Sequence, residues 1–166
     1  MLDDVILKPI THAHHADDAL DLAMRAHDYI TLEIGHDPDD AFIKDFFTAV
    51  PPGLGPACLQ TFGAMEGPAL IGLICIAEGY EYPDDWWIGL VLLDPAFRGE
   101  GIGRQIITDV KQRAWKNNIQ WLKLAVLSAN PRALKFWHRE GFTHHRDAPA
   151  LPGSDGHDRV VLKCKV

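Results

Sequence analysis

The sequence predicts an α/β fold of the α+β kind, a mixed sheet with helices packed on it. Three observations carry that reading. Apolar periodicity gives the order strand, two helices, three strands, helix, strand, helix, two strands, which is not the strict alternation of a doubly wound fold. Glu66-Gly67-Pro68 joins two apolar runs as a hairpin turn. Trp86–Leu93 is almost continuously apolar, the pattern of a strand buried on both faces.

Each element has its own signal. Val5–Ile10 alternates as a short first strand, ended by Pro9 and Thr11. From Ala13, the apolar Ala16, Ala19, Leu20, Ala23 and Met24 recur at helical spacing, with Asp17, Asp18 and Asp21 on the other faces. His36-Asp37-Pro38 breaks the chain before a second helix through Ala41, Phe42, Phe46 and Phe47, which the Pro- and Gly-rich run after Val50 stops. Cys58–Met65 and Ala69–Ala77 are the hairpin strands. After Trp86–Leu93, residues Ile102, Ile106, Ile107, Val110 and Ala114 mark a helix closed by Asn117-Asn118. Trp121–Leu127 is a strand, and Pro131–Glu140 a short helix with Asn130 as N-cap, Pro131 as first residue and Gly141 as stop. Phe142–His145 and Arg159–Val166 complete the chain as strands. No repeat, low-complexity tract or linker divides residues 1–166, so one domain is expected.

Composition narrows the function. With 47% hydrophobic and 23% charged residues, the 166-residue chain has an ordinary globular balance. No apolar run approaches the roughly 20 residues of a membrane span, so no membrane partner is expected. Met1-Leu2-Asp3-Asp4 lacks the basic and apolar stretches of a signal peptide. Three scattered cysteines, Cys58, Cys75 and Cys164, point to a reducing cytoplasm and to no zinc knuckle. His12, His14 and His15 read as a surface helix start, and no metal is expected.

The net charge of −7 is unevenly placed: residues 1–97 hold 17 acids and 3 bases, a net −14, and residues 98–166 hold 6 acids and 13 bases, a net +7. An acidic total argues against a nucleic-acid partner. The split fits an anionic ligand on one side and a cationic one on the other; solvated helix faces of unlike sign would also produce it.

The break falls at the most distinctive motif. Leu93-Asp-Pro-Ala-Phe-Arg-Gly-Glu-Gly-Ile-Gly-Arg104 lies between a strong strand and a strong helix. Glycines at 99, 101 and 103 let backbone N–H groups converge, and the positive end of the following helix completes an anion site suited to a pyrophosphate. Arg98 and Arg104 add charge at its rim. The motif is not a P-loop, because Gly103 is followed by Arg104-Gln105 rather than Lys-Ser/Thr. Nor is it a dinucleotide fingerprint: the spacing is GxGxG, and the position about 20 residues on is occupied by Trp121-Leu-Lys-Leu rather than an acid.

Here the chain resembles the GNAT superfamily of N-acetyltransferases. Arg98-Gly99-Glu100-Gly101-Ile102-Gly103 matches in full that family's pyrophosphate motif, Gln/Arg-x-x-Gly-x-Gly/Ala, and Leu93-Asp94-Pro95 matches the strand end before it. A second block, Asn130 to Phe142, matches the family's later helix and its Gly-Phe ending. The resemblance implies a mostly antiparallel sheet with a splayed pair of central strands, flanked by about four helices. It implies an acetyl-CoA site in which backbone groups of Val91, Leu92 and Leu93 pair with the pantetheine arm. The N–H groups of Gly99, Glu100, Gly101, Ile102, Gly103 and Arg104 would hold the pyrophosphate, and Asn130 would meet the pantetheine amides. The implied reaction is direct attack by a primary amine of a small molecule or peptide on the thioester, without an acyl-enzyme. The acidic half of the chain hints at a cationic acceptor. Many members form dimers, so a homodimer is compatible with the resemblance.

The sequence departs from the family at its acid and base. The Tyr that many members place four residues before the Gly of Gly-Phe is Trp137 here, and a Glu that some carry on the preceding strand is Ala125. The remaining candidate bases are Glu78, foremost, then Glu81, Asp84 and Asp85 in the loop before Trp86. Tyr29, Glu33 and His36, placed between the first two helices, border the expected acceptor pocket. Trp86 and Trp87 are expected to fill the two faces of the sheet. Two other readings remain open: an acyl-CoA-binding module without catalysis, and an enzyme of the same fold using a longer acyl donor.

Overall fold

In the computed structural model, which describes residues 4–153 and 155–166, the hairpin turn at Gly67 joins strands β2 (Leu59–Glu66) and β3 (Ala69–Glu78). Residues Met1–Asp3, on which the signal-peptide reading partly rests, lie outside the described set. Around the hairpin the chain adds β1 (Ile6–Pro9), β4 (Asp85–Leu93), β5 (Trp121–Leu127), β6 (Thr143–Ala148) and β7 (Arg159–Lys165). The sheet order is β1-β2-β3-β4-β5-β7-β6, antiparallel throughout except for the parallel pair β4–β5. Five α-helices flank it among the described residues: α1 (His12–Arg25), α2 (His27–Ile34), α3 (Asp40–Thr48), α4 (Ile102–Lys116) and α5 (Pro131–Arg139). None of them is long and apolar enough to cross a membrane.

The period of two along the strands sorts their side chains into two cores. On one face Ile74, Ile76, Trp86, Ile88, Leu122 and Leu124 pack with Ile106, Val110 and Trp137 of α4 and α5. On the other, Leu73 and Leu92 pack with Leu22, Ile30, Ile43 and Phe46 of α1 to α3. Trp86 is buried in the first core, whereas Trp87 faces the other side and meets Tyr80 edge to face at 5.1 Å. The two tryptophans do occupy opposite faces.

One correction concerns the helices. The expected pair before the hairpin is three, because the chain turns at Ala26 (φ −97°, ψ 26°) and re-enters a helix at once. Tyr29 and Glu33 therefore stand on α2 rather than between helices, and His36 follows it. Only Ile30 of α2 is fully buried, and this single core residue leaves no periodic signal in the sequence.

Two irregularities open the centre of the sheet. β4 and β5 pair only through Asp85, Trp86 and Trp87 against Trp121, Leu122 and Lys123, and diverge beyond them. The resulting edges of both strands leave backbone N–H and C=O groups facing the gap. In β4 the register slips so that Cys75 pairs with Leu90 and Ile76 with Ile88, leaving Gly89 as a bulge. A Cβ at Gly89 would lie 2.9 Å from the Cys75 sulfur, so the bulge requires glycine.

Candidate active site

The divergence of β4 and β5 makes a cleft of about 530 Å³. Its walls are the β4 bulge through Leu93, residues Leu124, Ala125 and Val126 of β5, one side of α2 and one side of α5. One end is the glycine loop. Asp94 anchors that loop: its carboxylate accepts the Ala96 N–H at 2.9 Å and the Arg25 Nε–H at 2.7 Å, and Pro95–Phe97 form a short 3-10 turn. Gly99 (φ +84°) and Gly101 (φ +82°) are left-handed, a conformation that turns successive N–H groups to one side and that residues with a Cβ resist. Gly101 is the N-cap of α4, so the helix begins at the loop with its first N–H groups free of intrahelical partners. Gly103 lets α4 approach α5, since a Cβ there would stand 2.9 Å from the Phe136 ring.

The basic residues at this end divide into committed and free ones. Arg98 grips Asp28 of α2 through both nitrogens, at 2.6 and 3.1 Å, and donates from Nε to the Leu93 carbonyl at 3.2 Å. The grip on Asp28 is the largest cause holding that carboxyl below its ordinary pKa. Arg104 is exposed at the rim, 3.5 Å from Glu140. Arg132 and Arg139 of α5 also line the cleft, and the sequence reading missed both. Their signal was present in the basic excess of residues 98–140, which hold 9 bases against 3 acids.

The structure gathers most of the expected residues at the cleft wall: Val91, Leu92, Leu93, Arg98, Gly99, Gly101, Gly103, Arg104, Asn130 and Tyr29. Glu100 is exposed and Ile102 is buried in the core, so neither side chain lines it. Asn130 also caps α5, its Oδ1 accepting the Ala133 N–H at 3.1 Å. Trp137 lines the cleft while stacked edge to face with Phe136 and Phe142, each at 5.0 Å, and Ala125 stands opposite on β5. His138 is fastened through Nδ1 to the Phe142 carbonyl at 3.0 Å, which ends α5.

The acidic candidates lie elsewhere. Glu78 pairs with Trp86, below the divergence, and by strand alternation shares the face of Ile74 and Ile76. It does not line the cleft, and burial raises its carboxyl pKa. Asp85, expected in a loop, is instead the buried first residue of β4 and ion-paired to Lys123 at 2.6 Å. Glu81 joins the same network through Lys123 at 3.1 Å and Arg146 at 2.6 Å. Glu33 and His36 also lie outside the lining: Glu33 is bonded to Arg159, and the His36 ring to the Asp37 carbonyl at 2.7 Å.

Under the bulge lies Cys75. Burial pushes its thiol up to about 12, against hydrogen bonds from the Leu90 and Gly89 backbone. The raised value disfavours the thiolate, the reactive form. Alkylation with iodoacetamide followed by peptide mapping is expected to modify Cys58, which is also partly exposed, well before Cys75.

The chain is similar in sequence and fold to known proteins. Residues 19–142, well over half of the chain, match the model of the acetyltransferase (GNAT) family. The chain belongs to the GNAT acetyltransferase family. Among solved structures, an acetyltransferase from Thermus thermophilus superposes with a TM-score of 0.81 at 22% identity, covering 99% of each chain. The PaiA N-acetyltransferase from Thermoplasma acidophilum, solved in complex with coenzyme A, gives a TM-score of 0.68 at 14% identity over 99% of this chain and 100% of that one. At these identities the likeness is one of GNAT fold. In sequence, 79 residues are 28% identical to the tRNA(Met) cytidine acetyltransferase TmcA of Haemophilus ducreyi. That match spans 45% of this GNAT chain and 13% of TmcA.

Proposed function

We propose that the chain is an acetyl-CoA-dependent N-acetyltransferase, a single domain that moves the acetyl group to a primary amine of a small molecule or peptide. The observation that carries this reading is the continuity of the cleft, from free backbone groups on β4 to the N–H groups of the glycine loop. An extended chain with amides and a diphosphate at one end has the matching chemistry. In this reading Val91, Leu92 and Leu93 pair with the pantetheine arm through their backbone, the loop N–H groups hold the diphosphate, and Arg104, Arg132 and Arg139 surround it. Asn130 meets the arm from the α5 side. The amine attacks the thioester carbonyl directly: the N–C bond forms, the C–S bond breaks, and coenzyme A leaves as the thiol.

Among the described residues, no side chain in the middle of the cleft is a ready base. The carboxylates lining it, Asp28 and Glu140, belong to the diphosphate end, where Asp28 is held by Arg98 and Glu140 stands beside Arg104. In this reading the amine passes its proton to water, and Glu78, outside the cleft lining, is not required to touch it. Thiol release from acetyl-CoA, measured over a panel of amines, amino acids and peptides with mass spectrometry of the products, tests the reading. An N-acetylated amine is the expected product. Coenzyme A binding without turnover on any acceptor would favour the binding module, and faster thiol release from longer acyl-CoA would move the donor specificity.

A further inference from the structure

Helix α2 forms part of the cleft wall but has little packing to hold it there. Of its eight residues only Ile30 is fully buried, while Asp28, Tyr29 and Leu32 line the cleft. Ion pairs tie it at both ends: Asp28 to Arg98 of the glycine loop at 2.6 Å, and Glu33 to Arg159 of β7 at 3.1 Å. The first of these ties reaches the diphosphate end of the cleft.

Arg98 fastens three elements at once. Nη1 and Nη2 donate to the two Asp28 oxygens at 2.6 and 3.1 Å, and Nε donates to the Leu93 carbonyl at 3.2 Å. The loop is thereby folded back onto the end of β4 and joined to α2. A lysine could not do this, because a point charge lacks the fork that serves a carbonyl and both carboxylate oxygens in fixed geometry. The bond from Arg98 is the main cause holding the Asp28 carboxyl below its ordinary pKa, and the charge of Arg132 on α5 adds to it. Asp28 is therefore a negative charge at the end of the cleft that would receive a polyanion. That placement opposes binding unless the carboxylate serves another purpose.

Resting on the reading of the cleft as an acetyl-CoA site, we propose that Asp28 is a positioning residue of that site. By holding Arg98 it fixes the glycine loop in its binding shape and ties the loop to α2, so cofactor binding and the placement of the α2 wall are linked. Asp28 does not touch the reacting atoms. The fork of Arg98 is engaged by the protein itself, and the diphosphate falls to the loop N–H groups and to Arg104, Arg132 and Arg139. The linkage is reciprocal: a diphosphate that steadies the loop also steadies α2, and an acceptor resting on Tyr29 and Leu32 steadies the loop.

Calorimetry with coenzyme A, together with hydrogen exchange of the intact chain, tests this without turnover. Electrostatics alone predicts that Asp28→Asn, which removes a negative charge, binds coenzyme A more tightly. The positioning role predicts the opposite sign, binding about tenfold weaker, the scale of fixing one further loop residue on binding. Asp28→Glu, which keeps the pair, is expected to restore most of that loss. Arg98→Lys is expected to match Asp28→Asn, and the double variant to be little weaker than either, since both remove one interaction. In the wild type, coenzyme A is expected to slow exchange of the α2 amides, and in Asp28→Asn that slowing is expected to disappear. Equal or tighter binding by Asp28→Asn, additive losses in the double variant, or equal slowing of α2 in both proteins overturns the proposal. Absence of coenzyme A binding by the wild type would instead remove the acetyl-CoA reading. The tie is then decided in the ligand-free protein, through the Phe97 and Arg98 amides, which bond to the Asp94 and Pro95 carbonyls across the turn. Asp28→Asn is expected to speed their exchange, and unchanged exchange there would overturn the proposal.

Discussion

Gly101→Glu is expected to weaken coenzyme A binding by more than about a hundredfold. Gly101 has a left-handed backbone and caps α4, and nothing lies within 4 Å of the position its Cβ would take. The substitution thus meets no clash. It imposes a left-handed conformation on an L side chain, worth about 1–2 kcal/mol, and sets a carboxylate at the N–H groups that would receive the diphosphate. Loss of two charge-assisted hydrogen bonds at about 1.5–3 kcal/mol each exceeds the roughly 2.8 kcal/mol that a hundredfold change requires. Gly103→Ala provides the contrast. Its methyl group would press on the Phe136 ring at 2.9 Å, so the damage falls on α4–α5 packing and lowers the melting temperature with a smaller loss of affinity. Calorimetry and thermal denaturation of both variants separate the two effects. Wild-type affinity in Gly101→Glu would detach the glycine loop from the cofactor.

Lys123→Met is expected to destabilise the fold by about 3–5 kcal/mol, the scale for removing one partner of a buried ion pair. The Lys123 and Asp85 side chains are 5% and 4% exposed and 2.6 Å apart. Burial alone would lower the Lys123 pKa, but Asp85 and Glu81 outweigh it and hold it above the ordinary lysine value. The ammonium also sits 4.9 Å from the Tyr82 ring centroid. Without it, the Asp85 carboxylate is left buried beside Glu81 with no cation on its own strand pair. A Lys123→Met, Asp85→Leu double variant removes both charges and is expected to recover most of the loss in urea unfolding. Equal instability of the single and double variants would mean that packing, not charge, is what Lys123 supplies. The pair closes β4 onto β5 in the short stretch where they bond, so it also sets where the cleft begins.

What the sequence made legible follows the range of each interaction. The β4 run, the hairpin and the Asn130 cap are local patterns, and the strands fall within a few residues of expectation. The glycine loop was legible because three spaced glycines before an amphipathic helix have few other uses. Helix α2 was not, since one buried isoleucine in eight residues is no periodicity. Lys123 was a missed signal: a lone charge inside Trp121–Leu127 requires a partner, yet nothing local names Asp85, 38 residues earlier in the chain. The position of Glu78 relative to the cleft was hidden by a similar gap. Its spacing from Ile74 and Ile76 already put it on their face, but only the divergence of β4 and β5 shows that it lies below the cleft. Arg159 and Glu33 are far apart in sequence and meet only once the sheet is formed.

The crystal structure of the chain with acetyl-CoA bound tests the central claim most directly. The diphosphate is expected on the N–H groups of residues 99–104, with the pantetheine arm along Val91–Leu93 and the thioester in the gap between β4 and β5. A diphosphate seated away from the glycine loop, or an arm outside that gap, would contradict the account.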